Sequence, residues 1–226
     1  MNITPEKINI QLFGISDISF QIETQQAEIN WGDGSSTQLK NPSPSLTIEH
    51  SYTKSLPVQL EITGTDIQGL SVSQLGIRHL ELQNCPHLQH LDCAINEITD
   101  LNLEQCPQLE ELYCNSNCLK RLKVAGAAHL TQLITAYNEI EELDATDCDQ
   151  LQVLDCSNNR LSSLLFHAPA QLRFLAIQNN SLDKASLLQI FGQLPVSKNK
   201  GILNYTHNPG FSSVSPSLLK EKNWTT

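Results

Sequence analysis

The chain has 226 residues, with 24 acidic against 14 basic side chains, a formal net charge of −10 and a pI of about 5.1. Of these, residues 67–180 hold 14 acidic and 6 basic side chains, so the basic stripe that a nucleic-acid backbone needs is missing. No apolar run approaches the roughly 20 residues of a membrane span, and Met1 is not followed by the basic segment and apolar core of a secretory leader.

Residues 1–66 read as a small all-β unit. Short alternating runs occur at Ile8–Phe13, Ile18–Ile22, Ala27–Trp31, Leu46–His50 and Val58–Ile62. Turn clusters separate them: Gly14, then Gly32-Asp33-Gly34-Ser35-Ser36, then Asn41-Pro42-Ser43-Pro44. Asp33 between two glycines is a tight-turn device; a calcium ligand is the alternative. INWGDGSS from Ile29, IEHSYT from Ile48 and PVQLEITG from Pro57 resemble the PKD-type β-sandwich, whose signature is a W/F-G-D-G turn and a later H-x-Y. A solenoid's first coil exposes apolar surface, so a unit in this place is expected to cap it.

From Ile67 a period of 21 sets in. Leu88, Leu109, Leu130, Leu151 and Leu172 are evenly spaced, and each opens a copy of the pattern L-x-x-L-x-C/L-x-x-N-x-L. Counting Leu88 as position 1, positions 4 and 6 are two residues apart, so on an extended segment both point inward. They are occupied by Leu91 and Cys93, Leu112 and Cys114, Leu133 and Thr135, Leu154 and Cys156, and Leu175 and Ile177. Position 9 is always asparagine: Asn96, Asn117, Asn138, Asn159 and Asn180. A buried amide is costly unless bonded, so these five are expected to form a ladder against the backbone of stacked coils. In the first coil Leu75 takes the asparagine's place.

The second half of each repeat adds its own apolar places, such as Ile98, Leu101, Leu103 and Cys106, but is too short for a helix with two turns. Pro86, Pro107 and Pro169 would interrupt one, which predicts an extended or 3₁₀ outer side. A single repeat buries too little to fold alone; neighbours must complete it. This pattern is similar to that of leucine-rich repeats. The resemblance implies a mainly β fold with little helix: a solenoid of about six 21-residue coils over 67–180, with a parallel sheet on one face.

After Asn180 the period breaks off. SLDKASLLQIFGQLP from Ser181 has a helical spacing closed by Gly192 and Pro195. GILNYTHNPG from Gly201 reads as one last strand and turn, and SPSLLKEKNW from Ser215 as a short helix ending at Trp224. The segment 181–226 resembles the C-terminal caps of bacterial, internalin-like repeat proteins. If Met1 is the native start, a cytoplasmic location is expected; if upstream residues have been removed, the resemblance implies a cell-surface or secreted protein.

The seven cysteines fall in columns. Cys93, Cys114 and Cys156 share position 6, Cys85, Cys106 and Cys148 share position 19, and Cys118 stands apart. A residue that alternates with Leu, Thr, Ile or Ala in one column behaves as a small buried hydrophobe, so reduced core thiols are expected. Cys85-Pro-His87, His90 and Cys93 look like zinc ligands, but the register sends the cysteines inward and the histidines outward, whereas ligands must converge on one point. No G-x-S-x-G, P-loop or H-E-x-x-H is present. No metal, cofactor or enzymatic activity is expected, and the chain leaves no room for the separate catalytic domain that repeat-containing ubiquitin ligases append.

What remains is the outward row of the strand. Tyr113, Ile134, Tyr137, Val153 and Phe174 would form a partly apolar stripe flanked by Asp92, Glu111 and Asp155, with His90, Asn115, Gln132, Asn158, Ala176 and Gln178 filling the row. A stripe of this kind on a rigid scaffold reads as a surface for a protein or peptide partner, carried by a monomer. Six strands at about 4.8 Å give roughly 400 Å² in plan, below the ~800 Å² per partner of a stable interface. The alternatives are an exported structural or adhesive surface protein with a glycan ligand, and an unrecognised enzyme.

Overall fold

The computed structural model describes residues 4–40, 45–53 and 57–226; the turn expected at 41–44 lies outside them. The N-terminal unit contains β1 (Glu6–Leu12), β2 (Asp17–Glu23), β3 (Gln26–Asn30), β4 (Ser36–Lys40), β5 (Leu46–Ser51) and β6 (Val58–Thr65). Their alternation turns Ile8, Ile10, Ile18, Phe20, Ile22, Ile29, Ile62 and their neighbours into one apolar interior. The W-G-D-G turn and the H-x-Y segment meet in space. His50 stacks on Trp31 with ring centroids 4.2 Å apart, and the Tyr52 hydroxyl donates to the Trp31 carbonyl at 3.1 Å. Gly32 sits at φ +76°, and a Cβ there would lie 2.4 Å from the Gln59 carbonyl, so only glycine fits.

Two strands of the first coil tie this unit to the repeats. β7 (Gly69–Ser71) pairs antiparallel with β2 on one side. On its other side it runs parallel to β9 (His90–Asp92). β8 (Ile77–Gln83) joins β1, completing a five-stranded sheet in the order β4-β3-β6-β1-β8. Thus both faces of the first coil continue as sheets of the N-terminal unit. One apolar cluster runs from Ile8 to Trp224.

The coils stack in strict register. β10 (Glu111–Tyr113), β12 (Gln132–Ile134), β14 (Val153–Asp155) and β16 (Phe174–Ala176) follow β9 as parallel strands, each offset by one repeat. On the outer side β11 (Leu122–Lys123), β13 (Glu142–Ala145) and β15 (Ser163–Phe166) form a second, three-stranded parallel sheet. Between the two sides runs the amide ladder. Asn117 donates to the Cys93 carbonyl of the preceding coil (3.0 Å) and to Cys114 of its own (3.2 Å), while its oxygen accepts from the Ile98 amide (2.9 Å). Asn96, Asn138, Asn159 and Asn180 repeat this arrangement. Three bonds per buried side chain are what make a polar residue tolerable at each turn.

The repeat does not end at Asn180, as the broken period suggested. Leu203, Tyr205 and Asn208 stand where Leu175, Ile177 and Asn180 stand one coil earlier, offset by 28 residues instead of 21. Asn208 donates to the Ile177 and Tyr205 carbonyls, both at 2.9 Å, and accepts from the Leu182 amide at 3.1 Å, adding a sixth rung. The seven extra residues are taken up by α1 (Lys184–Gln193), which Asp183 caps by accepting from Ser186. β17 (Gly201–Asn204) then extends the long sheet. After α2 (Ser217–Glu221) comes β18 (Trp224–Thr225), parallel to β17. Trp224 therefore ends the chain in a strand, not a helix. Its ring lies against Gly201, where a Cβ would come within 2.5 Å of it, and its Nε1 donates to Pro195 at 2.8 Å.

Candidate recognition face

The long sheet has ten strands, in the order β18-β17-β16-β14-β12-β10-β9-β7-β2-β5. The coils alone supply six of these. The added strands β2, β5, β17 and β18 lie before residue 67 or after residue 180, and sequence spacing could not assign them to this sheet because they lie off the 21-residue period. Ten strands enlarge the plan area to roughly 600 Å² at about 4.8 Å per strand.

Position 3 of the coils runs across the sheet as Gly69, His90, Glu111, Gln132, Val153 and Phe174, and continues into Ile202. Position 5 runs as Ser71, Asp92, Tyr113, Ile134, Asp155 and Ala176. Side chains from Asp92 to Phe174 in these rows are half-buried, because each is flanked by its counterparts one strand away. Ala176 departs from expectation: it is buried at 2% exposure, too short to reach beyond its neighbours. Ile202, not singled out from the sequence, is 50% exposed.

Tyr137 also stands elsewhere than the row would put it. It lies past the strand, at position 8, with φ +57° and 62% exposure. The whole position-8 column is left-handed: Gln74, Ile95, Ser116, Tyr137, Asn158 and Asn179 have φ between 54° and 60°. Asparagine adopts this backbone readily; a β-branched residue does so under strain. Ile95 is such a residue, exposed at 49%, and it shares the column with Tyr137 two coils away. The rim of the face is thus mostly polar, with Ile95 and Tyr137 as two exposed apolar side chains that the strand residues do not reveal.

The polar side chains of the face hold one another. Gln132 donates to Glu111 at 2.8 Å, and the Tyr113 hydroxyl lies 3.3 Å from Glu111 and 3.2 Å from Gln132. Burial raises the Tyr113 phenol pKa, with Glu111 adding to the shift. Asp92 accepts from the Ala94 amide and from Ser71, and Asp155 accepts from the amide and hydroxyl of Ser157. Each of these aspartates therefore locks its own turn with one oxygen while facing out. Val153 and Phe174 pair directly across β14 and β16, and Ile134 lies opposite Asp155.

The other candidate groups lie apart. His87 bonds to the buried Glu6 at 2.7 Å on the N-terminal strand, whereas His90 sits on the face, 3.5 Å from Glu111. No group of three or more His, Cys, Asp or Glu placed to hold a metal ion occurs among the described residues. Asp33 uses one oxygen on the Ser35 amide and hydroxyl and the other on His50 at 2.9 Å, which holds its pKa down at about 2. All seven thiols are free, and all but Cys118 are buried. Burial pushes Cys114 and Cys148 up to about 12 and raises Cys93 and Cys156 as well. Interaction between the neighbouring Cys85 and Cys106 thiols lowers the Cys85 pKa and raises that of Cys106.

Residues 86–126 match the family model of leucine-rich repeats, in two copies. No curated protein matches the chain. Among solved structures it is similar to the functional domain of InlJ from Listeria monocytogenes, described as including a cysteine ladder. The identity is 27% over 59% of this chain and 28% of that one, with a TM-score of 0.47. It is also similar to YopM, a leucine-rich effector protein from Yersinia pestis, at 27% identity over 62% of this chain and 37% of that one, with a TM-score of 0.49. YopM from Yersinia enterocolitica gives 24%, 62%, 34% and 0.46. The chain spans 28% to 37% of the length of these structures.

Proposed function

We propose that this leucine-rich-repeat solenoid is a non-enzymatic binding module that holds a protein or peptide partner on the open face of its long sheet. Asp92, Glu111, Tyr113, Ile134, Val153, Asp155 and Phe174 make the contact surface, and Tyr137 its rim. In this reading residues 1–66 and 181–226 cap the coils of 67–180, and the C-terminal cap carries the last rung of the ladder, Asn208. One observation carries it: half-exposed aromatic and aliphatic side chains stand in register on strands whose turns the asparagine ladder holds rigid. A preorganised row of this kind loses little freedom on binding. Cys114 and Cys148 support the same reading, since burial raises both to about 12 and such thiols are not nucleophiles at neutral pH.

The test compares wild type with Tyr113→Ala/Phe174→Ala in crosslinking and capture, with thermal melts showing that both are folded. The double variant is expected to lose partners that the wild type retains. If every captured partner stays bound as before, the partner is held elsewhere.

A further inference from the structure

The ten-stranded sheet carries its charge and its apolar surface at opposite ends. At the N-terminal end Asp17, Glu23, Glu49, Asp92 and Glu111 face outward from β2, β5, β9 and β10. Further along, Ile134, Val153, Phe174 and Ile202 predominate, with Asp155 the only carboxylate among the described outward strand residues there. No outward strand residue of the described sheet is lysine or arginine. Within the acidic end, Gly69 leaves position 3 without a side chain, opening a depression of about 150 Å³ that Glu23, His90, Asp92 and Tyr113 help to line. Glu23 lies across its floor: a Cβ on Gly69 would stand 3.1 Å from the Glu23 Cγ and Cδ atoms.

We infer that the partner on this face is an extended basic polypeptide segment, with one lysine or arginine side chain entering the depression over Gly69 and apolar side chains lying on Val153 and Phe174. The inference rests on the proposed role of the face and narrows the partner's chemistry. A cation there meets the Glu23 and Asp92 carboxylates and the ring of Tyr113, whose face attracts positive charge. A face whose described outward strand residues carry only negative formal charge repels an acidic segment and steers a basic one. Distance sets the pattern. From Gly69 to Val153 is four strand spacings, about 19 Å, which an extended chain at about 3.3 Å per residue covers in roughly six residues. Six is even, so both anchors project from the same side of the segment.

The experiment uses the full chain and a fluorescein-labelled peptide of about eight residues, with arginine and phenylalanine six apart and serine or glycine elsewhere. Comparison peptides carry citrulline or glutamate in place of arginine, and anisotropy is read at low and high salt. The arginine peptide is expected to bind about tenfold more tightly than the citrulline peptide. That advantage should shrink with salt. Glu23→Gln/Asp92→Asn should remove it, in protein that a melting curve shows to be folded. Equal binding of the arginine and citrulline peptides, or an advantage that survives the double substitution, overturns the inference. If captured partners depend on Tyr113 and Phe174 yet ignore Glu23→Gln/Asp92→Asn, the face stands as a binding surface and only the basic-segment assignment falls.

Discussion

Thr135 stands at position 6, where the other coils have Val72, Cys93, Cys114, Cys156 and Ile177. It is fully buried, and its hydroxyl has no hydrogen-bond partner among the described residues. The Cys114 thiol beside it is a weak hydrogen-bonding group. Replacing the hydroxyl by a methyl removes an unsatisfied buried donor, a penalty of about 1–3 kcal/mol. The column already accepts valine and isoleucine, so Thr135→Val introduces no new shape. Allowing for imperfect fit, the gain is about 1–2 kcal/mol, which for a chain of this size raises Tm by about 2–8 °C. Differential scanning calorimetry of the reduced protein measures it. An unchanged or lower Tm would refute the reasoning, because the hydroxyl would then have to be satisfied in the native state.

Asn138→Ala removes bonds to the Cys114 and Thr135 carbonyls and strands the Leu119 amide. A loss of about 3–5 kcal/mol is expected in urea unfolding, and a loss of less than about 1 kcal/mol would mean that the ladder is not a structural element. Ile95→Asn relieves a β-branched side chain at φ 55° on an exposed site. It should stabilise by about 1 kcal/mol, read as a shift of the urea midpoint at constant slope. Native protein treated with a thiol reagent at neutral pH should label at Cys118 alone, and at all seven cysteines once unfolded, as peptide mass spectrometry would show. Early labelling of Cys114 or Cys148 would contradict their burial. The depressed pKa of Asp33, about 2 against 3.8, contributes stability above pH 3.8 that is lost as pH falls toward 2. Asp33→Asn should flatten that part of the acid-unfolding curve relative to wild type.

The residues that name the fold are local and periodic. Leu88 through Leu172, the inward pairs and five of the six rungs follow from a spacing of 21 and from the cost of burying an amide without partners. The same spacing places Tyr113, Ile134, Val153 and Phe174 on one face, because side-chain direction alternates along a strand whatever the surroundings. Tertiary structure decided what lies outside the period. Asn208 becomes a rung only because α1 absorbs seven residues, and Glu23 reaches Gly69 only because β2 pairs with β7 across 46 residues of sequence. Tyr137 and Ile95 move to the rim because the turn imposes a left-handed backbone on position 8. Such pairings depend on which edges find hydrogen-bond partners in the folded chain, and neither residue type nor spacing specifies that.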